Sequence, residues 1–166
     1  MINKKMETAL NEQINKEMYS AYLYMAMSSH ANHVGLNGFA NWFMVQYHEE
    51  MEHAMKIYKY VQDQGSKVLL KEIKKPPASF KNPLDMFQQT LKHEQFITKS
   101  INDLVELAIK ECDHATQIFL QWFVTEQIEE EANDNEIIGK LNMVGEKGNG
   151  IFMIDRELGQ RTLHSA

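Results

Sequence analysis

The chain is poor in the residues that break, staple or anchor a fold. Its 166 residues include three prolines, eight glycines and one cysteine. So few Gly and Pro exclude collagen-like and low-complexity character. Cys112 has no second cysteine to pair with, so the expectation is a reducing compartment. No apolar run approaches the ~18 residues that a membrane span needs. The first residues, Met1-Ile2-Asn3-Lys4-Lys5-Met6-Glu7, lack the apolar stretch of a secretory signal. Basic charge is short as well: 17 Lys and Arg against 23 Asp and Glu leave a net charge of −6. That is the wrong sign for gripping phosphate backbones. The expectation is a cytoplasmic protein with no nucleic-acid or membrane partner.

What is present is enough for one well-packed domain. Hydrophobic residues make up 43% of the chain, too many for a disordered segment, and 166 residues suit a single domain spanning 1–166. The breaks in the 3.6-residue pattern fall at Gly35, at Gly65, across residues 65–82, at Asp113 and at Gly145, Gly148 and Gly150. They predict helices over about 6–34, 37–64, 83–111, 114–144 and 151–158. Asn37 and Asp113 read as N-caps, and Asn82-Pro83 as an N-cap followed by Pro at the first helical position. Gly159 reads as the last stop, and the tail from Gln160 to Ala166 as frayed.

The four long segments are matched, at roughly 42–46 Å each by a rise of 1.5 Å per residue. Short links join the first pair and the second pair, which predicts two antiparallel hairpins. Residues 65–82 are too long for a local turn and reach about 60 Å when extended, enough to travel the length of a bundle. The predicted fold is all-α: a four-helix bundle of two antiparallel hairpins with a long crossover, plus a short fifth C-terminal helix.

Each long segment has an inward seam. The first reads Leu10, Ile14, Glu17, Ala21, Tyr24, Ser28; the second Phe39, Phe43, Gln46, Glu50, His53, Ile57, Tyr60. The third reads Leu84, Phe87, Leu91, Glu94, Thr98, Ile101, Val105, Ala108; the fourth Thr116, Leu120, Phe123, Gln127, Glu130, Asp134, Ile137, Leu141. The seams are apolar near their ends and polar in the middle. Glu17, Glu50, His53, Glu94, Gln127 and Glu130 all fall within about three residues of a helix midpoint, so the bundle delivers them to one layer.

Four carboxylates in a core whose seams hold no Lys or Arg must protonate or meet cations. Two divalent metals would balance them. Oxygen ligands with one imidazole suit Fe(II) or Mn(II) and tolerate Zn(II). Glu50 and His53, at i and i+3, share a helix face, so one metal can take both. The competing reading is a set of boundary glutamates on slightly rotated helices.

With these residues in place the sequence resembles the ferritins, and most closely the bacterial non-haem ferritins. The marks are Glu17, Glu49-Glu50-Met51-Glu52-His53, His93-Glu94 and Glu126-Gln127-Ile128-Glu129-Glu130. The resemblance covers nearly the whole chain, from Asn11 to about Leu158. It implies an iron-storage ferroxidase that oxidises Fe(II) with dioxygen or peroxide at a di-iron centre. The ferric mineral would be kept inside a hollow homo-oligomeric shell of twenty-four subunits. Carried over by position, Glu17, Glu50 and His53 would hold one iron, Glu50 would bridge to a second on Glu94 and Glu130, and Gln127 would hydrogen-bond to the centre. Tyr24, on the same face as Glu17, would orient a ligand or give an electron, or would simply be a buried tyrosine. Glu49, Glu126 and Glu129, with Glu130 shared, would hold a third iron, or form a solvated acidic face.

Two departures qualify the resemblance. Bacterioferritins carry a second Glu-x-x-His on the fourth helix, where this chain has Gln127 and Glu130. Met51 occupies the position whose sulfur binds haem between bacterioferritin subunits, but packing accounts for it and haem is not expected. Animal ferritins ring their threefold channel with carboxylates, and the matching positions here read Gln117 and Leu120. Trp42 and Trp122 read as packing residues, and His30, His33, His48, His93, His114 and His164 as mostly surface. The alternatives are a haem-binding storage protein, a structural helical oligomer with adventitious metal, or a small di-iron oxidase acting on an organic substrate.

Overall fold

A computed structural model describes residues 2–145 and 149–163, and the described residues hold five helices and no strand. These are α1 (Lys4–His33), α2 (Asn37–Asp63), α3 (Pro83–Lys110), α4 (His114–Val144) and α5 (Asn149–Leu158). Gly148 and the end of the tail, His164 included, lie outside the described residues. The expected boundaries hold within a residue or so, except that α1 and α5 each begin two residues early. Asn3 causes the first shift: its side chain accepts from the Met6 amide at 2.9 Å. Asn82 and Asp113 cap as expected, accepting from Asp85 and Thr116 at 2.7 and 3.0 Å. No helix among the described residues is long and apolar enough to cross a membrane.

One expected cap is wrong. Asn37 does not cap α2 but is its first residue; the N-cap position falls to Leu36, which makes no side-chain cap bond. The carboxylate comes from α5 instead: Asp155 Oδ1 accepts from the amides of Gly38 at 2.8 Å and Phe39 at 3.0 Å. Gly38 makes this docking feasible, because a Cβ there would lie 1.6 Å from the Asp155 carbonyl oxygen.

Three helices end on the same motif. After α1, the Leu36 amide returns to the Ala31 carbonyl and the Gly35 amide to Asn32; after α2, Ser66 and Gly65 do the same to Val61 and Gln62. This Schellman closure puts its C′ residue in the left-handed region, where Gly has no Cβ penalty. Gly35 and Gly65 sit there at φ +83° and +72°. At the end of α3 the same bonds form through Asp113 and Cys112, but Cys112 is not a glycine and holds φ +54°.

Side-chain bonds fix the topology. Asn3 reaches Glu111, Gln13 meets Ser100 and Tyr24 meets Glu94, so α1 and α3 run antiparallel. Tyr60 meets Thr116 and Gln46 meets Glu130, so α2 and α4 are antiparallel too. With α1 and α2 joined through Val34–Leu36, α2 and α3 must run parallel. The crossover follows α1 upward. Asn11 accepts from the Leu69 amide and donates to the Lys67 carbonyl, Asn15 donates to Glu72, and Phe80 packs on His30.

The core is in two parts. One end of the bundle packs Tyr24, Met27, Phe39, Trp42, Phe43, Phe87 and Leu141 with Ile154 and Leu158 of α5. The other packs Met6, Leu10, Ile14, Ile57, Val61, Ile101, Leu120 and Phe123. Between them lies the polar layer. The seams of α1, α2 and α4 are buried as expected apart from the half-buried Tyr60. On α3 the helix is rotated: Thr90, Ile97 and Leu104 are buried, while Leu91, Thr98 and Val105 are half-buried flanks.

Two substitutions test these contacts by thermal melting. Asp155→Ala removes the borrowed cap and lowers the melting temperature by roughly 2–8 °C, for a cap worth about 1–2 kcal/mol. Cys112→Gly relieves the left-handed strain and raises it by about 2–4 °C.

Candidate metal centre

Each long helix places its middle turn in the polar layer. Glu17 from α1 and Glu50 and His53 from α2 are buried, and one ligand atom from each lies within 4.8 Å of the others. A second group shares the imidazole: His53, Glu126 and Glu130 also offer atoms within 4.8 Å of one another. His53 Nδ1 is 3.5 Å from Glu50 Oε2, and its Nε2 is 3.9 Å from Glu126 Oε1. Trp122 meets the imidazole edge-on at 5.3 Å and carries Lys56 over its outer ring face at 3.7 Å.

Glu94 enters from α3, tied into the layer from two sides. The Tyr24 hydroxyl donates to its Oε1, and Gln127 Nε2 donates to its Oε2 at 3.1 Å. Tyr24 is wholly buried and stacked near Phe43, and burial keeps its phenol protonated. Its position is therefore that of a donor orienting Glu94. Gln127 also reaches Thr98 at 3.2 Å, whose hydroxyl donates to Glu131 at 2.6 Å.

Two further amides surround the carboxylates. Gln13, one turn before Glu17, donates to its Oε1 at 2.7 Å. Gln46, one turn before Glu50, donates to Glu50 Oε1 at 3.3 Å and to Glu130 Oε2 at 2.8 Å. Gln13 lies beside the seam rather than on it, but the repeated Gln-x-x-x-Glu on α1 and α2 is a readable signal, since i and i+4 share a face. Arg161, in the tail expected to fray, is instead bonded to Glu49 at 2.5 Å, a contact that no local sequence signal marks.

The remaining expected residues are spread outward. Glu49 and Glu126 are half-buried, and Glu129 is exposed and belongs to neither group of ligand atoms. His93 is not a surface residue: it is half-buried with Ser20 Oγ 2.7 Å from Nε2. Met51 lies in an apolar groove with Met18, Tyr22, Met25 and Tyr47. Leu120 is fully buried in the bundle. Gln117 is half-buried and Gln121 is exposed.

Electrostatics show how the layer exists without counter-ions. Burial, reinforced by neighbouring carboxylates, pushes Glu17 up to about 8. It raises Glu50 and Glu130 well above the usual range, and Glu94 in the same direction. Asp134, buried one turn beyond Glu130, is pushed by burial to about 9. Glu17 and Asp134 are thereby held as neutral groups at neutral pH. Glu17 Oε2 and Asp134 Oδ2 are buried without a hydrogen-bond partner among the described residues. An orphaned carboxylate oxygen beside Glu50 and His53 fits a divalent cation, which would take the lone pair and displace the proton.

The pH dependence has a defined sign. Where the folded state holds a proton that the unfolded state has released, stability falls as pH rises. For Glu17 that window runs from the ordinary value of 4.5 to about 8. The metal-free protein will therefore lose melting temperature between those limits, and Glu17→Gln will flatten the slope. Adding Zn(II) at pH 7 will release protons, measured by calorimetry in buffers of different ionisation enthalpy.

Comparison with known proteins gives a consistent picture. A family model described as a ferritin-like domain matches residues 7–144. A bacterial non-heme ferritin from Campylobacter jejuni is 46% identical over 156 residues, covering 94% of this chain and 93% of the relative. One from Bacteroides fragilis is 41% identical over 161 residues, covering 97% and 100%. Among solved structures, an open-pore ferritin from the hyperthermophilic archaeon Archaeoglobus fulgidus superposes with a TM-score of 0.96 at 46% identity, covering 98% of this chain and 100% of its own. A humanized archaeal ferritin gives 0.98 at 45%, covering 99% and 100%.

Proposed function

The chain belongs to the ferritin-like family, and from that premise we propose that it is an iron-storage ferroxidase. Its substrate is Fe(II), its oxidant dioxygen or peroxide, and its product a ferric mineral kept inside a hollow shell built from copies of the chain. The observation that carries the reading is the buried layer itself: Glu17, Glu50, Glu94 and Glu130 with His53, drawn from four helices, with Glu17 Oε2 left without a partner among the described residues.

In this reading Glu17, Glu50 and His53 bind one Fe(II). Glu50 bridges to a second on Glu94 and Glu130. Two irons held side by side can each give up one electron, which suits an oxidant that accepts electrons in pairs. The helices fix the separation, Tyr24 and Gln127 hold Glu94 in orientation, and Gln13 and Gln46 hold the other carboxylates. Protons leave the acids as the cations arrive. Glu126, with Glu49 and Glu129 further out, forms the acidic route by which iron is held as a third ion or passed on.

The shell reading is supported by α5. Ile154 and Leu158 are buried against α2 and α4, but Phe152 and Met153 are 71% and 70% exposed. An apolar face of this kind on a short helix suits contact with symmetry-related copies. Size-exclusion chromatography will give a mass far above the 19.3 kDa of one chain; a monomer or dimer would leave the small-oxidase alternative standing.

The chemistry is tested by adding Fe(II) in air and following ferric absorbance. Glu50→Ala and His53→Ala will each slow the initial rate by roughly 100-fold, the upper end of the losses caused by disturbing a metal's surroundings. Variants as fast as the parent would place the oxidation elsewhere and favour adventitious metal.

A further inference from the structure

Beyond α5 the chain turns back toward the metal layer rather than into solvent. Asn41 Nδ2 donates to the carbonyls of Leu158 at 3.3 Å and Arg161 at 2.9 Å, pinning the backbone after the helix. The Arg161 side chain then lies along α2. Its guanidinium stands 4.4 Å from the centre of the Trp42 ring, its Nη1 donates to Gln46 Oε1 at 2.8 Å, and its Nη2 donates to Glu49 Oε2 at 2.5 Å. Both partners belong to the site. Glu49 is an outer carboxylate, and Gln46 touches Glu50 and Glu130 through its other end.

An amide has one accepting end and one donating end, and a guanidinium only donates. Arg161 therefore obliges Gln46 to present its oxygen outward and its NH2 group to the two inner carboxylates. Take the guanidinium away and the amide is free to turn its oxygen toward them. At Glu49 the effect is competition, since a carboxylate oxygen engaged by a charge-assisted hydrogen bond is withheld from a cation.

We propose that Arg161 is a tethered counter-cation of the metal pocket: it occupies Glu49 in the place of an outer metal ion and, through Gln46, positions Glu50 and Glu130. The inference rests on the paired-metal reading of the site. Arg161 is a positioning residue, and an ion that takes Glu49 Oε2 must first displace it. Loading of the outer position is thereby coupled to release of the C-terminal segment from α2.

The two roles have opposite signs, which separates them from a loss of folding. The test is anaerobic calorimetric titration of the intact protein with Co(II), comparing the parent with Arg161→Ala and Arg161→Lys. In Arg161→Ala the outermost ion will bind about tenfold more tightly, because its competitor is gone. The inner ions will bind severalfold more weakly in both variants, because neither alanine nor lysine supplies the fork that holds Gln46 and Glu49 together. Arg161→Lys keeps the charge and will hold the outer affinity near that of the parent. A merely structural role would weaken every site together, and that result, or an outer affinity unchanged in Arg161→Ala, overturns the inference alone. A parent that takes up no Co(II) overturns the paired-metal reading and this inference with it.

Discussion

Everything in this bundle is arranged around carboxylates that have been taken out of water. An isolated buried carboxylate costs several kcal/mol, and here four occupy one layer. Burial drives Glu17 to about 8 and Asp134 to about 9, so without cations these two hold protons at neutral pH, and the same desolvation pushes Glu50, Glu94 and Glu130 in that direction. With cations the layer survives by exchanging those protons for metal. The two states use the same cavity, and the apolar clusters above and below supply the packing that neither state provides. A layer of this kind in the middle of a short bundle would melt it; between two full clusters it is tolerated.

The choice of neighbours follows from that constraint. Gln13, Gln46 and Gln127 each point an amide at a carboxylate, and the Tyr24 hydroxyl does the same. These groups give the acids donors without adding charge. A lysine or arginine in their place would neutralise the pocket permanently and compete with metal at every site. The guanidinium of Arg161 is kept one shell away, where it meets Glu49 and touches the inner acids only through an amide. Helix length serves the same end. Four rods of similar length, α2 parallel to α3 because the crossover climbs alongside α1 and α4 thereby parallel to α1, bring their midpoints to one height.

The features legible in the sequence were those governed by local periodicity. Every residue of the α4 seam, from Thr116 to Leu141, is buried, although Ile118, Phe119, Val124 and Ile128 offer apolar neighbours beside that line. On α3 half of the expected seam (Phe87, Glu94, Ile101 and Ala108) is buried, while Leu91 and Val105, as apolar as Leu104 and Ile97, lie at its flank. Periodicity cannot choose between adjacent apolar stripes; only the rotation imposed by α1 and α4 does. The Glu and His residues of the layer were legible because they interrupt an apolar pattern. Glu129 lies in the same glutamate-rich run as Glu126 and Glu130 but is exposed where Glu130 is buried, a difference set by its angle on the helix.

What escaped the sequence has a common physical cause: the partner is far along the chain. Asn37 is a sound cap by local rules, yet it is superseded by Asp155, whose carboxylate arrives from more than a hundred residues away. Arg161 follows a helix stop in a polar tail, where local signals indicate fraying. Both depend on α5 docking onto α2, and that docking depends on a missing side chain at Gly38. Ile154 and Leu158 hold α5 from the inside, while Phe152 and Met153 on its other face have nothing over them in a single chain. Any copy that buries those two residues presses α5 onto α2, and with it the cap at Asp155 and the guanidinium beside Glu49. In the proposed shell, one ten-residue helix would then link contact between copies to the groups beside Glu49.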